Sequence, residues 1–299
     1  MSQILHGDSQ APVTLGGLES KGKSGKADLS TGERGKWWRF LLILVITLLI
    51  IAPIIAVVVL STQPSQSTST ATGFTFANYV YVFTQTDVLL WLKNSLIVAL
   101  ATVIVAVAVA APAGYVLSRV RNRLVSGYSL ILFVIQSLPV VTAVIPLFIT
   151  FSVLGLTNTL ASVAIVYIGS TMSVAIWMMA AYIDSIPISL EEAAWMDGAS
   201  VFGSFTRIVM RNSLPGILST AIFSFLLAWN DYLIALIFLQ DQSVYTLPKG
   251  LETFFQQNAT DWGSVMAVAV VMMIPPVIVF AFLNKYFSVG GIGGSLAGR

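Results

Sequence analysis

The chain contains no cysteine and a single histidine, His6. These absences exclude disulfides, thiolate metal sites, cysteine nucleophiles, histidine metal clusters and Ser-His-Asp chemistry. Charged residues are also scarce, at 9% of the 299 residues, whereas soluble domains carry roughly a quarter. Hydrophobic residues make up 57% of the chain. Because so few charges cannot cover a water-facing surface of this size, the sequence indicates an integral membrane protein.

Long apolar runs fill most of the remaining sequence. A bilayer core requires about 20 apolar residues per helix, and continuous rather than alternating runs favour helices over barrel strands. No charged residue lies between Arg123 and Asp184, a stretch too long for one crossing, and Gly155, Thr157 and Asn158 mark a turn within it. We therefore predict an all-α membrane protein with a bundle of six transmembrane helices. The predicted spans are Trp37–Leu60, Ser95–Leu117, Gly127–Leu154, Leu160–Ile183, Leu214–Leu239 and Ser264–Phe287.

The placement of lysine and arginine predicts the orientation of the spans, because cytoplasmic loops carry an excess of basic residues. Of the 15 basic residues, only Lys93 and Lys249 fall on the side opposite the two termini. Both termini are therefore predicted to be cytoplasmic. Residues 1–36, rich in Gly, Ser and Lys, are predicted to form a disordered cytoplasmic tail. The transmembrane domain is predicted to cover 37–287, and a Gly-rich cytoplasmic tail to cover 288–299.

A phosphate-loop pattern, GxxxxGKS, occurs at residues 17–24 but lacks the context that such a loop needs. A nucleotide-binding loop follows a buried strand and opens a helix, so that backbone amides point at the phosphates. Here the preceding residues form only a weak strand pattern, and no helix pattern follows Gly25. We interpret the match as chance, and any ATP that drives this protein is expected to be hydrolysed elsewhere.

The loop between the fourth and fifth predicted spans, residues 184–213, has a helical pattern. Ser189 and Glu192 have the spacing of a capping box, and Glu191 suits the positive end of a helix. This short helix is predicted to end or bend at Gly198. A second helical stretch follows, and an exposed projection or a helix on the lipid headgroups fits it equally well. Its apolar residues recur at three- and four-residue intervals: Val201, Phe202, Phe205, Ile208 and Val209.

Part of this loop, Glu192-Ala193-Ala194-x-x-x-Gly198, resembles the EAA motif of ABC importer membrane subunits. In that family the motif continues with nine residues and then Ile-x-Leu-Pro; here Ile208 is present, but Met210-Arg211 replaces Leu-Pro. The resemblance covers about residues 37–299 and implies two coupling helices, at 189–211, that dock on a cytoplasmic ATPase. The ATPase-coupling residues that it implies are Glu191, Glu192, Ala193, Ala194, Asp197 and Gly198.

Three further stretches resemble the carbohydrate branch, in particular the second six-span permease subunit of maltose-type importers. The segment 228–232, Ala-Trp-Asn-Asp-Tyr, is similar to a stretch of sugar permeases, and Asp261–Ala267 is similar to the end of an external loop in that branch. The segment Gly290–Arg299 resembles a tail that reaches between the ATPase subunits of maltose-type systems.

The resemblance also implies the partners of the chain. It implies a homologous second permease subunit, two cytoplasmic ABC ATPase subunits that bind ATP and Mg, and an extracytoplasmic sugar-binding protein. The chain itself is then a transport subunit rather than an enzyme, binds no cofactor directly, and contacts a sugar and membrane lipid but no nucleic acid.

Asp231 is the only acidic residue within the predicted spans. A charged group near the bilayer centre costs about 2.5–3.5 kcal/mol, so this carboxylate should face the bundle interior, a partner helix or water. Asn230 and Asp231 either line the translocation path or bond to neighbouring helices and position its gate. The residues predicted for the path or gate are Gln136, Trp229, Asn230 and Asp231, and the residues considered for stacking on a sugar are Trp91, Trp229 and Trp262.

The external loop around Gly250–Gly263 resembles the loop that family members insert into their binding protein. The alternative is a solvated connector, but the loop is long for a simple connection. The predicted binding-protein contacts are Gly250, Glu252, Asn258, Asp261 and Trp262.

The sequence thus predicts a multi-pass subunit of a bacterial ABC importer in the plasma membrane, which moves a di- or oligosaccharide inward by alternating access. An ABC permease for a non-sugar small solute is the alternative, although the extra basic groups that an anionic solute would favour do not appear among the predicted path residues. An ion-coupled secondary transporter would need several buried titratable groups or inverted repeats. An intramembrane enzyme would need a Ser/His pair, an HExxH motif or a pair of carboxylates in the membrane.

Overall fold

The computed structural model describes residues 35–65, 73–255 and 260–296, with side chains described up to residue 283 and at 286. These ranges are helical and contain no strand, which confirms the all-α prediction. The chain divides into two compact units, Met1–Ala52 and Pro53–Arg299. In the first unit the described residues are Gly35 and the first part of one long helix, α1 (Lys36–Ser61), whose residues from Pro53 onward belong to the second unit. The rest of the tail predicted over 1–36 lies outside the described residues.

The second unit contains the remaining helices. A π turn over Phe205–Val209 joins α8 to α9, and 3₁₀ turns cover Gln242–Val244 and Glu252–Phe254. The helices are α2 (Ala77–Gln85), α3 (Val88–Arg119), α4 (Arg123–Ser137), α5 (Val140–Val153), α6 (Leu160–Asp184), α7 (Ser189–Met196), α8 (Val201–Ser204), α9 (Met210–Asn212), α10 (Leu214–Asn230), α11 (Leu233–Phe238), α12 (Leu247–Leu251) and α13 (Trp262–Leu296).

In the described ranges, four helices are long and apolar enough to cross a membrane: α1, α3, α6 and the Trp262–Leu283 part of α13. Two bent pairs raise this number to as many as six if each pair is one span. One pair is α4 with α5, and the other is Val201–Asn212 with α10, bent by 72°. The chain is therefore a multi-pass membrane protein, and six spans with both termini cytoplasmic stay predictions.

The third predicted span is two helices rather than one, because α4 and α5 meet at an angle of 93°. The break falls at Leu138-Pro139. Proline lacks an N–H and disfavours helical conformation in the residue before it, so Leu138 is extended (ψ 126°). By contrast, α5 accommodates Pro146 without a break.

The core of the second unit is built on α3 and α6. Along α3, buried small residues recur every four positions at Thr102, Ala106, Ala110 and Gly114. A Cβ added to Gly114 would lie 2.7 Å from the Met179 Cβ, so the two backbones approach closely there. Small residues at this interval favour helix packing in membranes, where van der Waals contact rather than water exclusion drives association.

The turn between α5 and α6 is held by the side chain of Asn158. Gly155 and Asn158 have φ of 67° and 59°, which confirms the predicted turn. The Asn158 Oδ1 accepts hydrogen bonds from the backbone N–H of Gln240 (2.9 Å) and Asp241 (3.0 Å). The backbone N–H of Asn158 donates to the Phe238 carbonyl (2.9 Å). This turn therefore fixes the chain that leaves α11.

The last helix differs from its prediction at the C-terminal end. The sequence predicts that the span ends at Phe287 and that a Gly-rich tail covers 288–299. The backbone nevertheless stays helical to Leu296. Earlier in α13, Pro276 has no N–H for the Met272 carbonyl, and the Trp229 indole N–H donates to that carbonyl instead (3.1 Å).

Candidate functional site

A helical projection lies between α6 and α10, and we call it the foot (residues 189–212). Its first helix, α7, ends as predicted at Gly198, whose φ of 85° is in the left-handed region. The predicted capping box is wrong. The backbone N–H of Glu192 bonds to the Ile188 carbonyl (3.0 Å), so the helix starts earlier and Ser189 already lies inside it.

Glu191 points into the protein and is fully buried. Its Oε1 accepts a hydrogen bond from Arg119 Nε and its Oε2 accepts one from the Tyr115 hydroxyl, both at 2.7 Å. The Arg119 Nη2 also donates to the Ile186 carbonyl (3.0 Å). Glu191 was predicted to lie on the ATPase-coupling surface, but it packs against α3 instead. Its partners Tyr115 and Arg119 were not predicted from the sequence, although a buried carboxylate requires such partners.

The outer surface of the foot is apolar with acidic side chains beside it. Met196 is 88% exposed and Phe202 is 73% exposed. The indole N–H of Trp195 donates to Ser204 Oγ (2.9 Å) and ties the first helix of the foot to the second. Exposed apolar patches of this kind mark surfaces that contact another protein or the membrane. Among the remaining predicted coupling residues, Ala194 is buried, and those on the surface are Glu192, Ala193, Asp197 and Gly198.

Asp231 lies in the break between α10 and α11. Its Oδ1 accepts hydrogen bonds from the Tyr167 hydroxyl (2.8 Å) and from the backbone N–H of Ile234 (2.9 Å). The carboxylate thereby caps α11 and ties it to α6. Asn230 is exposed, with its Nδ2 donating to the Leu226 carbonyl (2.9 Å).

Trp229 does not line a path in this structure. Its ring is buried and stacks on Phe225, with the ring centroids 5.5 Å apart. Trp91 is buried as well, so of the three tryptophans considered for sugar stacking, only Trp262 is exposed. Both buried rings satisfy their indole N–H groups with backbone carbonyls, a role that their positions in the sequence do not reveal.

Asn230 and Glu252 line the same open cavity, of about 370 Å³. The structure thus brings a predicted path residue together with a residue of the external loop. Gln136 lies elsewhere, in a second cavity of about 370 Å³ with a mostly apolar lining at the α4–α5 bend. The other residues that line the first cavity are Tyr232, Pro248, Leu251, Phe255 and Met272.

The first part of the external loop is fastened to the start of α3. The Trp91 indole N–H donates to the Gln242 carbonyl (3.0 Å), and Asn94 Nδ2 donates to the Tyr245 carbonyl (2.9 Å). Gly250 packs against the Trp91 ring, since an added Cβ would lie 2.1 Å from Cε3. Gly250 is therefore buried rather than presented to a partner. These contacts also explain why α3 begins at Val88, seven residues before the predicted start of the span.

The last part of the external loop presents an aromatic surface. Trp262 is 57% exposed and lies edge-to-face with Phe255, with ring centroids 6.0 Å apart. Asp261 caps α13, because its Oδ1 accepts a hydrogen bond from the backbone N–H of Ser264 (3.3 Å), and its Oδ2 accepts another from Ser264 Oγ (2.8 Å). The predicted contact residue Asn258 lies outside the described residues.

The role of Asp231 is tested by comparing two substitutions. Asp231→Ala removes both hydrogen bonds and is expected to lower the free energy of unfolding by about 2 kcal/mol. Asp231→Asn keeps an acceptor for both donors and should retain most of that stability. Thermal unfolding in detergent measures the difference. Two stable variants that both fail to transport would instead assign Asp231 to the path.

The pH dependence of the external loop follows from Glu252. The Lys249 ammonium donates a hydrogen bond to this carboxylate (2.6 Å) and holds the pKa of Glu252 below its usual 4.5. A lowered pKa contributes stability above pH 4.5 that is lost as the pH falls through the folded-state value. Because Glu252 is exposed, the contribution is small. The stability difference between the wild type and Glu252→Gln should shrink below pH 4.5, and a constant difference would contradict this.

Comparisons with known proteins are consistent with these observations. Residues 108–289 match the model of a family described as binding-protein-dependent transport system inner membrane component. The chain is 33% identical over 208 residues to the inner membrane ABC transporter permease protein YcjP of Escherichia coli, covering 70% of this chain and 74% of that protein.

A second relative and a solved structure extend the comparison. The trehalose/maltose transport system permease protein MalG of Thermococcus litoralis is 34% identical over 213 residues, covering 70% of this chain and 76% of that protein. The solved structure is a bacterial ABC transporter involved in the import of the acidic polysaccharide alginate. It matches with a TM-score of 0.71 at 21% identity, covering 85% of this chain and 98% of that chain, which shows a shared fold.

Proposed function

Because the chain belongs to the family of binding-protein-dependent transport system inner membrane components, and is thus a membrane subunit of an ABC importer, we propose that it carries a di- or oligosaccharide inward across the bacterial plasma membrane. The family confirms the resemblance found in the sequence. Similarity to a trehalose/maltose permease supports the carbohydrate branch. As a transport subunit, the chain carries out no covalent chemistry itself.

The foot is the observation that carries this proposal. Met196 and Phe202 expose apolar side chains beside the carboxylates of Glu192 and Asp197. A short amphipathic helix of this kind suits an apolar groove on a partner protein. We assign that groove to one of two cytoplasmic ATPase subunits, which bind ATP and Mg. In this proposal, closure of the ATPase pair moves the foot, and the spans then alternate between outward-open and inward-open states.

The cavity at Asn230 is the proposed sugar contact of this subunit. Sugars are bound by polar groups that exchange hydrogen bonds with hydroxyls and by aromatic rings that pack on their apolar faces. Asn230 and Glu252 supply the polar groups, while Tyr232 and Phe255 supply the rings. A homologous second permease completes the path, and the exposed Phe255–Trp262 pair is the proposed contact for the extracytoplasmic binding protein.

The experiment uses the complete importer reconstituted in proteoliposomes with its sugar-loaded binding protein. Asn230→Ala should lower the uptake of a radiolabelled neutral disaccharide, because the amide lines the proposed contact. Gln136→Ala is the matched control, since it removes an equivalent amide from the other cavity, and its uptake should equal that of the wild type. If uptake is lost only in Gln136→Ala, the translocation path lies at the α4–α5 bend instead. ATP-driven uptake of a non-sugar solute alone would overturn the sugar assignment.

A further inference from the structure

We propose that Tyr115, Arg119 and Glu191 form an internal joint that makes α3 move together with the foot. This inference rests on the proposed function of the foot as the ATPase contact. Glu191 is a positioning residue in this proposal: it contacts neither ATPase nor sugar and acts by fixing the foot to a span.

The chain topology explains why such a joint is needed to connect the foot to α3. The backbone connects the foot directly to α6 and to α10 only. The helix α3, which packs along both of them, is joined to the foot through side chains: Arg119 and Glu191 are 72 residues apart in sequence. Without the joint, a displacement of the foot reaches α3 through the apolar contacts between the helices and through one hydrogen bond, from Ser118 to Asp184 at the end of α6. With the joint, α3 moves by the same displacement as the foot.

The geometry of the joint is that of a fixed connection. Each carboxylate oxygen of Glu191 accepts one hydrogen bond at 2.7 Å, from Arg119 Nε and from the Tyr115 hydroxyl. The same guanidinium donates through Nη2 to the Ile186 carbonyl (3.0 Å) and through Nη1 to Ser118 Oγ (3.1 Å). Charge-assisted bonds from several nitrogens of one planar group constrain its orientation as well as its distance.

The π turn of the foot also contacts the joint. The ring of Phe205, in the π turn, lies 4.9 Å from that of Tyr115, centroid to centroid. The Ser118 hydroxyl extends the hydrogen-bonded network to Asp184 at the end of α6 (2.6 Å). Both halves of the foot and the end of α6 therefore converge on the end of α3.

A buried ion pair is a costly way to hold two helices together. Apolar side chains of similar volume often give equal or greater stability, because they avoid desolvation of the charges. A directional network, in contrast, specifies one arrangement of the groups that it connects. Glu191 lies on a helix whose outer surface is apolar. This position is consistent with an ion pair that fixes the arrangement of the two helices rather than one that adds stability.

The first test measures coupling in the complete reconstituted importer. Glu191→Gln keeps the shape of the side chain but removes its charge, and the sugar transported per ATP hydrolysed should fall by about 5-fold or more. The matched variant, Glu192→Gln, alters the adjacent exposed carboxylate and should weaken ATPase association instead. If Glu192→Gln weakens association while Glu191→Gln keeps the wild-type ratio, the joint is refuted and the proposed ATPase contact stands.

The second test measures the joint directly, through a distance rather than through a transport rate. Because the chain has no cysteine, spin labels can be attached at Val116→Cys on α3 and at Thr206→Cys on the foot, both at exposed positions. The distance between the labels should be the same in the nucleotide-free and ATP-bound importer. Glu191→Gln should make it change between these states. A label distance that changes with nucleotide while Glu191 is present would overturn the proposal.

Discussion

Arg119→Met is expected to lower the free energy of unfolding by about 3–5 kcal/mol, because it leaves the buried Glu191 carboxylate without its cation. The remaining Tyr115 hydroxyl offers one neutral hydrogen bond and cannot replace a guanidinium. Thermal unfolding of the purified subunit in detergent measures the loss, and the amount of folded protein in the membrane should fall with it.

The control is the double variant in which Arg119 and Glu191 are both methionine. It removes both charges and should recover most of the lost stability, because a buried ion pair is often replaced by apolar side chains without cost. Its transport per ATP should nevertheless stay low, since the directional bonds are gone. A double variant as unstable as Arg119→Met would show that the charges themselves are not the cause of the loss.

Trp91→Ala is the second substitution with a large expected effect, and we expect it to lower the free energy of unfolding by about 3–5 kcal/mol. The ring is buried, bonds to the Gln242 carbonyl (3.0 Å), and packs against Gly250 and Phe254. Its removal leaves a cavity between α3 and the external loop. The expected result is a lower unfolding temperature and faster proteolysis in the loop.

Trp262→Ala is the matched control for Trp91→Ala. The side chain is the same, but it is exposed, so the free energy of unfolding should change by less than about 0.5 kcal/mol. If Trp262 contacts the binding protein as proposed, its removal should weaken stimulation of ATP hydrolysis by that protein. Equal destabilisation by the two substitutions would contradict the burial of Trp91.

Features that depend on local physics could be predicted from the sequence. Gly198 ends α7 because glycine adopts positive φ without strain, and the turn at Asn158 follows the same rule. The apolar runs predict helices of membrane-spanning length. Proline at 139 predicts an interruption, although the 93° bend between α4 and α5 depends on packing that the sequence does not encode locally.

Features that depend on distant partners were missed. Glu191 and Glu192 are adjacent acids in the same motif, and only the position of Arg119 on α3 determines which of them is buried. In the same way, Trp229 turns toward α13 because Pro276 leaves the Met272 carbonyl without a helical partner. Helical periodicity assigns a residue to a surface of its own helix but does not identify what that surface contacts.

The central claim is that the foot transmits motion from a nucleotide-driven partner, and a single crosslinking measurement tests it most directly. A photocrosslinker is attached at Met196→Cys, whose side chain is 88% exposed on the foot, and is activated in the complete importer with and without ATP. The account predicts a covalent product with an ATPase subunit, and none with Val153→Cys, whose side chain is similarly exposed at the end of α5. Crosslinks from Met196→Cys to lipid alone, in an importer that hydrolyses ATP and transports, would contradict it.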